Sequence, residues 1–198
     1  MHDDLWLKLE ALDTQETVRR SLCPFMASPR GGYFIIRFIS EDYHVYPSQK
    51  QISRGGGGGE AEQADYLHQL CILAYLISAK DMPLARSLVG CQELAGGAFF
   101  FRGIHALPTE KLAKAFGASP QEFLALTGRF GGRPLNYGDA ALEFYLLPRL
   151  PVTFILWRGD SEFAPRASIL FDKTADAQMP LDAIGAAVGL AVKKMINC

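Results

Sequence analysis

Apolar and polar positions divide the chain into segments of distinct period. Leu5, Leu9 and Leu12 recur at helical spacing between charged residues, which predicts a helix over residues 3–20. Pro24, Pro29, Gly31 and Gly32 then break the pattern. Residues 33–39 are aromatic and β-branched and read as a strand. Ser40-Glu41-Asp42 reads as a turn, and residues 43–46 as the returning strand of a hairpin. Residues 49–60 are polar and glycine-rich and read as a flexible loop. Residues 61–79 carry the clearest helical signal. Tyr66, Leu67, Leu70, Leu73, Ala74 and Ile77 form one apolar face, which Cys71, Ile72 and Leu76 extend, so this helix is expected at the centre.

The second half alternates helix and strand signals. Phe99-Phe100-Phe101 reads as a short strand. A helix is expected from residue 107 to Gly117. Another starts at Ser119-Pro120-Gln121-Glu122, which has the form of a capping box, and ends at Gly128. Residues 142–147, 152–157 and 167–171 are strands. The run Thr153-Phe154-Ile155-Leu156-Trp157 is apolar on both faces, so this sheet is expected to be covered on both sides. Pro180 opens a last helix with Leu181, Ile184, Val188 and Met195 on one face. The sum is one α+β domain over residues 1–198, a mainly antiparallel sheet of hairpins packed with about five helices.

Composition narrows the function. The 198 residues are 49% hydrophobic and 21% charged, with a net charge of −1. There is no basic excess for nucleic acid and no basic run for an anionic membrane. The acidic start Met1-His2-Asp3-Asp4 is unlike a signal peptide, and the longest apolar run, 71–77, is too short to span a bilayer, so a cytoplasmic location is expected. Cys23, Cys71, Cys91 and Cys198 are dispersed, which excludes a C-x-x-C knuckle and implies reduced, mostly buried thiols.

Candidate chemistry is sparse. Gly55 to Gly59 are followed by Glu60 and Glu62, which would repel a phosphate. No two of His2, His44, His68 and His105 stand at metal-ligand spacing. His105 lies in a loop, where binding residues concentrate, and could meet Cys91 in space. Arg158-Gly159-Asp160-Ser161-Glu162 reads as a polar turn whose two acids could hold a hard cation. The densest stretch runs from Phe130 to Asp139. Its glycines allow close backbone approach, Arg129 and Arg133 offer forks for carboxylates, and Asp139 could instead pair with Arg133.

Several stretches carry a family resemblance. They are Gly131-Gly132-Arg133-Pro134-Leu135, Gly138-Asp139-Ala140-Ala141-Leu142-Glu143-Phe144, Leu147-Pro148-Arg149-Leu150-Pro151, Leu156-Trp157-Arg158-Gly159-Asp160 and Leu170-Phe171-Asp172. Leu5-Trp6-Leu7-Lys8-Leu9, the 32–46 hairpin and Glu93-Leu94-Ala95-Gly96-Gly97-Ala98-Phe99-Phe100 support them. Together they resemble the domain family of unknown function DUF3786 over most of the chain. The resemblance implies an uncharacterised protein of anaerobic bacteria and archaea, some members being fused to a four-cysteine iron–sulfur module shared with corrinoid iron–sulfur proteins. This chain has no such module. Where relatives have a His-containing, acid-rich entry to the last helix, it has Asp176-Ala177-Gln178-Met179-Pro180-Leu181-Asp182.

Three functional expectations follow. The first is an accessory protein of anaerobic redox metabolism that binds a small ligand or cofactor. A tetrapyrrole, corrinoid or haem, would lie near His105, Arg102, Arg129, Arg133 and Asp139, and an iron–sulfur or corrinoid protein would be the partner. The second is a small enzyme using His105, Asp139 and Asp160 as acids and bases, which requires at least two of them in one deep pocket. The third is a structural subunit with an exposed apolar patch.

Overall fold

The computed structural model describes residues 2–29, 31–55 and 62–198. The helix expected over 3–20 is two helices, α1 (His2–Glu10) and α2 (Thr14–Ser21). Asp13 separates them: its carboxylate accepts the Glu16 amide at 2.8 Å, which caps α2 and stops α1 from continuing. The first sheet follows, with β1 (Phe25–Met26), β2 (Tyr33–Phe38), β3 (Glu41–Tyr46), β4 (Gln51–Arg54) and β5 (Glu62–Gln63) antiparallel in that order. The β2–β3 turn is tighter than the sequence suggests. Ile39 and Ser40 alone make it, at φ 48° and 67°, and Glu41 already pairs with Phe38. Part of the expected 49–60 loop is strand β4, where Ile52 fills the core and Ser53 is buried beside it. The glycines from Gly56 to Gly59 lie outside the described residues.

The central helix α3 (Tyr66–Ser78) starts with its apolar pattern and not at residue 61, because Asp65 caps it by accepting the His68 amide. Cys71, Ile72, Leu73, Tyr75 and Leu76 are fully buried, whereas Tyr66 and Leu67 in its first turn are about half exposed. After β6 (Leu88–Gly90), the expected strand at Phe99 is instead the helical turn α4 (Gly97–Phe100). Gly97 explains the change: a Cβ there would sit 1.9 Å from the Cys91 carbonyl oxygen, so the chain must turn tightly. Helices α5 (Thr109–Phe116), α6 (Pro120–Ala125) and α7 (Thr127–Phe130) come next. The expected capping box of α6 does not form, since the Ser119 side chain makes no capping bond and its carbonyl accepts the Glu122 amide. Helix α7 runs through Gly128 and ends at Gly131, φ 62°.

The second sheet is β6 with β7 (Arg133–Leu135), β8 (Ala140–Leu147), β9 (Leu150–Trp157) and β10 (Arg166–Asp172), in the order β6-β10-β9-β8-β7, all antiparallel. Helices α8 (Ala175–Gln178) and α9 (Leu181–Ile196) close the chain. Inside α8, Asp176 accepts the Ala95 amide at 2.7 Å, which ties this segment to the turn before α4. The two sheets meet where the Ile39 amide donates to the Leu146 carbonyl at 3.0 Å. One hydrophobic core runs through both, from Trp6 and Ile36 to Phe154 and Val188, which makes the chain one α+β domain. No helix among the described residues is long and apolar enough to cross a membrane.

The centre of the second sheet is buried on both faces, as expected, but by different means. Helices α5, α6 and α9 pack on it, and Phe144, Val152, Phe154 and Phe171 enter the core on that side. Ala141 and Ile155 on the other face are buried but stand outside the core cluster. That face is covered by loops and bounds an open groove, which is why its apolar residues need no second helix layer.

Candidate functional site

Strand register builds the groove floor. Arg133 pairs with Glu143, Glu143 with Thr153, and Thr153 with Leu170, so these four side chains share the outer face. Tyr145 opposite Pro151, and Leu88 opposite Asp172, share it too. Segment 83–88 forms one wall and segment 131–137 the other, and they enclose a hollow of about 990 Å³. That volume is at the upper end of small-molecule sites.

The walls are held by backbone constraints. Gly132 lies so close to β8 that a Cβ would stand 2.9 Å from the Glu143 carbonyl oxygen. Gly138 has φ 57°, and its Cβ would meet the Leu156 carbonyl oxygen at 2.7 Å and the Ile155 Cγ2 at 2.8 Å. The turn it makes is what covers Ile155. Gly138→Ala is therefore expected to cost about 1–3 kcal/mol, from left-handed strain plus the displaced contact. Urea denaturation checks it; a loss below about 0.5 kcal/mol would mean the turn does not bear on the sheet.

On the opposite wall Arg86 also has a left-handed backbone, φ 55°, without being glycine. Asp172 holds it there. This carboxylate, 4% exposed, accepts the Arg86 amide at 2.6 Å and the Ala85 amide at 3.0 Å. It also accepts the Thr174 amide at 3.0 Å and the Thr174 hydroxyl at 2.6 Å. Burial alone would raise the Asp172 carboxyl, but the Thr174 bonds and the two amides of segment 83–88 outweigh it and hold it below the usual carboxylate range.

Two guanidinium groups line the groove with donors to spare. The Arg133 Nε donates to Glu143 Oε1 at 2.8 Å, and its two terminal nitrogens make no hydrogen bond among the described residues. The exposed Arg86 side chain makes no ion pair among them. Tyr137 and Tyr145, each about half exposed, add aromatic surface. The lining contains no His, Cys or Met.

Of the residues expected at a site, only Arg133 lines this groove. Its partner is Glu143 rather than Asp139, because β7 pairs with β8 and brings Glu143 directly opposite. Asp139 accepts the Arg158 amide at 2.7 Å. Arg129 is exposed on α7. Arg102 lies over the Phe99 ring, 5.6 Å from its centroid, and His105 stacks on Phe100 at 4.7 Å; both are exposed on one turn. Asp160 borders a separate, smaller hollow, and its Oδ1 accepts the amides of Glu162 and Phe163, which fixes the polar turn. Cys91 is buried, and burial raises its thiol, so it is no ready nucleophile. Burial likewise pushes the Cys23 and Cys71 thiols up to about 12. Among the described residues no three His, Cys, Asp or Glu side chains group as a metal site.

Sequence reasoning missed Arg86, Tyr145 and Asp172 as groove residues, and gave Tyr137 no role within its candidate stretch. Gly131-Gly132-Arg133 was a local signal for one wall. Nothing local marks Arg86, whose geometry depends on a carboxylate 86 residues away. Comparison with curated proteins and with solved structures returns no match. The family model described as "Domain of unknown function (DUF3786)" matches residues 13–194, and the chain belongs to that family.

Proposed function

We propose that this protein is a binding module, an accessory protein of redox metabolism that holds a small ligand or cofactor in the groove of its second sheet. The observation that carries this reading is the pairing of two guanidinium groups with donors to spare, on Arg86 and Arg133, with an aromatic and apolar surface beside them. Such a lining suits a flat apolar body with carboxylates, because guanidinium forks match carboxylate geometry and half-exposed tyrosines match ring faces. A tetrapyrrole is a ligand of that class. The family's resemblance to iron–sulfur fusions supports the redox setting and an iron–sulfur or corrinoid partner.

The groove fits the ring and its carboxylates better than it fits the metal. With no His, Cys or Met in the lining among the described residues, it offers iron or cobalt no imidazole or sulfur ligand there; Tyr137 and Tyr145 are its hydroxyl-bearing side chains. Bound haem or corrinoid would supply redox chemistry, while these residues would orient the ring. The acid–base alternative draws no support from this groove, since none of His105, Asp139 and Asp160 lines it.

Absorption and tryptophan-quenching titrations with haemin and with metal-free protoporphyrin IX test the reading. Both are expected to bind, with Kd values within about threefold of each other, a difference under 1 kcal/mol. Binding of neither removes the tetrapyrrole assignment. Haemin binding more than about tenfold tighter would mean a metal ligand from elsewhere in the chain.

A further inference from the structure

We propose that the groove is a two-ended clamp, selecting a ligand that carries carboxylates on opposite edges over one that carries them on a single edge. This rests on the binding reading above and specifies its ligand class.

The two arginines stand at opposite ends of the sheet. Arg133 is the first residue of β7, one edge strand, and Arg86 precedes Leu88 of β6, the other edge strand. Four strand spacings separate these edges, on the order of 19 Å at the backbone. Both residues border the same hollow, so a ligand lying in it can meet both. Between them the floor offers Tyr145, Pro151 and Leu88. The two carboxylates of the groove are already engaged: Glu143 by Arg133, and Asp172 by four donors. They hold the arginines' positions and leave the free guanidinium nitrogens to an incoming anion.

Arg86 carries the strongest sign that its place matters. A non-glycine residue at φ 55° is strained, and the fully bonded Asp172 is what sustains it. Folding alone would be better served by glycine at this position. A strained arginine whose side chain has no ion-pair partner among the described residues, bordering a hollow opposite a second arginine, is the arrangement of a binding residue retained at a cost in stability.

Porphyrins of one ring but different rims make the test. Protoporphyrin IX has both carboxylates on one edge, whereas coproporphyrin I has one on each of its four sides. Coproporphyrin I is expected to bind at least about tenfold tighter, as one further guanidinium–carboxylate contact provides. Arg86→Ala and Arg133→Ala should each remove that preference, bringing both ligands to about equal affinity. Lys111→Ala, on the exposed face of α5, should leave it unchanged and so separates contact from overall charge. Arg86→Gly should lose the preference while raising the thermal unfolding midpoint, which distinguishes the missing guanidinium from a damaged fold. Equal binding of the two porphyrins to the unaltered protein overturns the clamp and leaves the tetrapyrrole reading standing. If neither porphyrin binds, the tetrapyrrole reading falls, and a long α,ω-dicarboxylic acid against the monocarboxylic acid of equal length decides the clamp. Tighter binding of the diacid, lost in Arg86→Ala, sustains the clamp; no difference overturns it.

Discussion

Arg149→Ala is expected to remove about 2–4 kcal/mol of folding stability, as losing several charge-assisted hydrogen bonds from a mostly covered guanidinium does. Arg149 sits in the β8–β9 turn, and its side chain is 12% exposed. Its Nε donates to the Arg20 carbonyl at 2.7 Å, Nη1 to the Met82 carbonyl at 2.9 Å, and Nη2 to the Arg19 carbonyl at 3.3 Å. Nη2 also donates to Asp81 Oδ1 at 2.7 Å. Two of those carbonyls belong to the last turn of α2, where carbonyls lack helical partners and a positive charge is favoured. One guanidinium thus joins the second sheet to α2 and to the segment leaving α3.

The neighbouring bonds make the joint cooperative. The Tyr75 hydroxyl donates to the Ser21 carbonyl at 2.8 Å and accepts the Arg149 amide at 3.0 Å. Asp81 is more exposed, and solvent weakens its share, so the carbonyls carry most of the effect. Arg149→Lys keeps the charge but offers a single donor site, and about half the loss is expected. Urea midpoints of Arg149→Ala, Tyr75→Phe and the double variant measure the coupling, expected near 1 kcal/mol. A loss under about 1 kcal/mol in Arg149→Ala would mean that water replaces the side chain at these carbonyls.

What could be read from the sequence follows from how local each cause is. The β8–β9 hairpin was legible because its apolar runs flank a short proline turn, and β8 and β9 need little else to pair. Strand β4 was not, because Gln51, Ser53 and Arg54 are polar and Ile52 is its one large apolar residue. Phe99-Phe100-Phe101 has strand-forming composition, yet Gly97 must turn against Cys91, and Phe99 ends 83% exposed. The outer face of β9 looked like core because Ile155 is apolar, but a loop centred on Gly138 covers it. At the site, Arg133 announced itself through the two glycines before it. His105, Arg102 and Arg129 shared its loop character without its location. Proximity to aromatic residues in sequence does not bring side chains to one sheet face; strand register does, and register is a long-range property.

Asp172→Ala is expected to destabilise the protein by about 3 kcal/mol, since it leaves four donors without their acceptor, two of them beside solvent and able to recover water. Asp172→Asn keeps one accepting oxygen and should lose roughly half as much. The charge has its own pH signature. The folded state holds the Asp172 carboxyl below its ordinary value, so its contribution is fully present above the unfolded-state value near 3.9. It is lost as pH falls through the lower, folded value. The stability gap between the unaltered protein and Asp172→Asn should therefore be wide at pH 7 and should narrow at pH 3 and below. Urea midpoints of both proteins across that range measure it. A gap independent of pH would assign the effect to the shape of the side chain and not to its charge. Because the same carboxylate fixes the Arg86 backbone, the acid range that closes the gap is also where Arg86 should relax from its left-handed conformation.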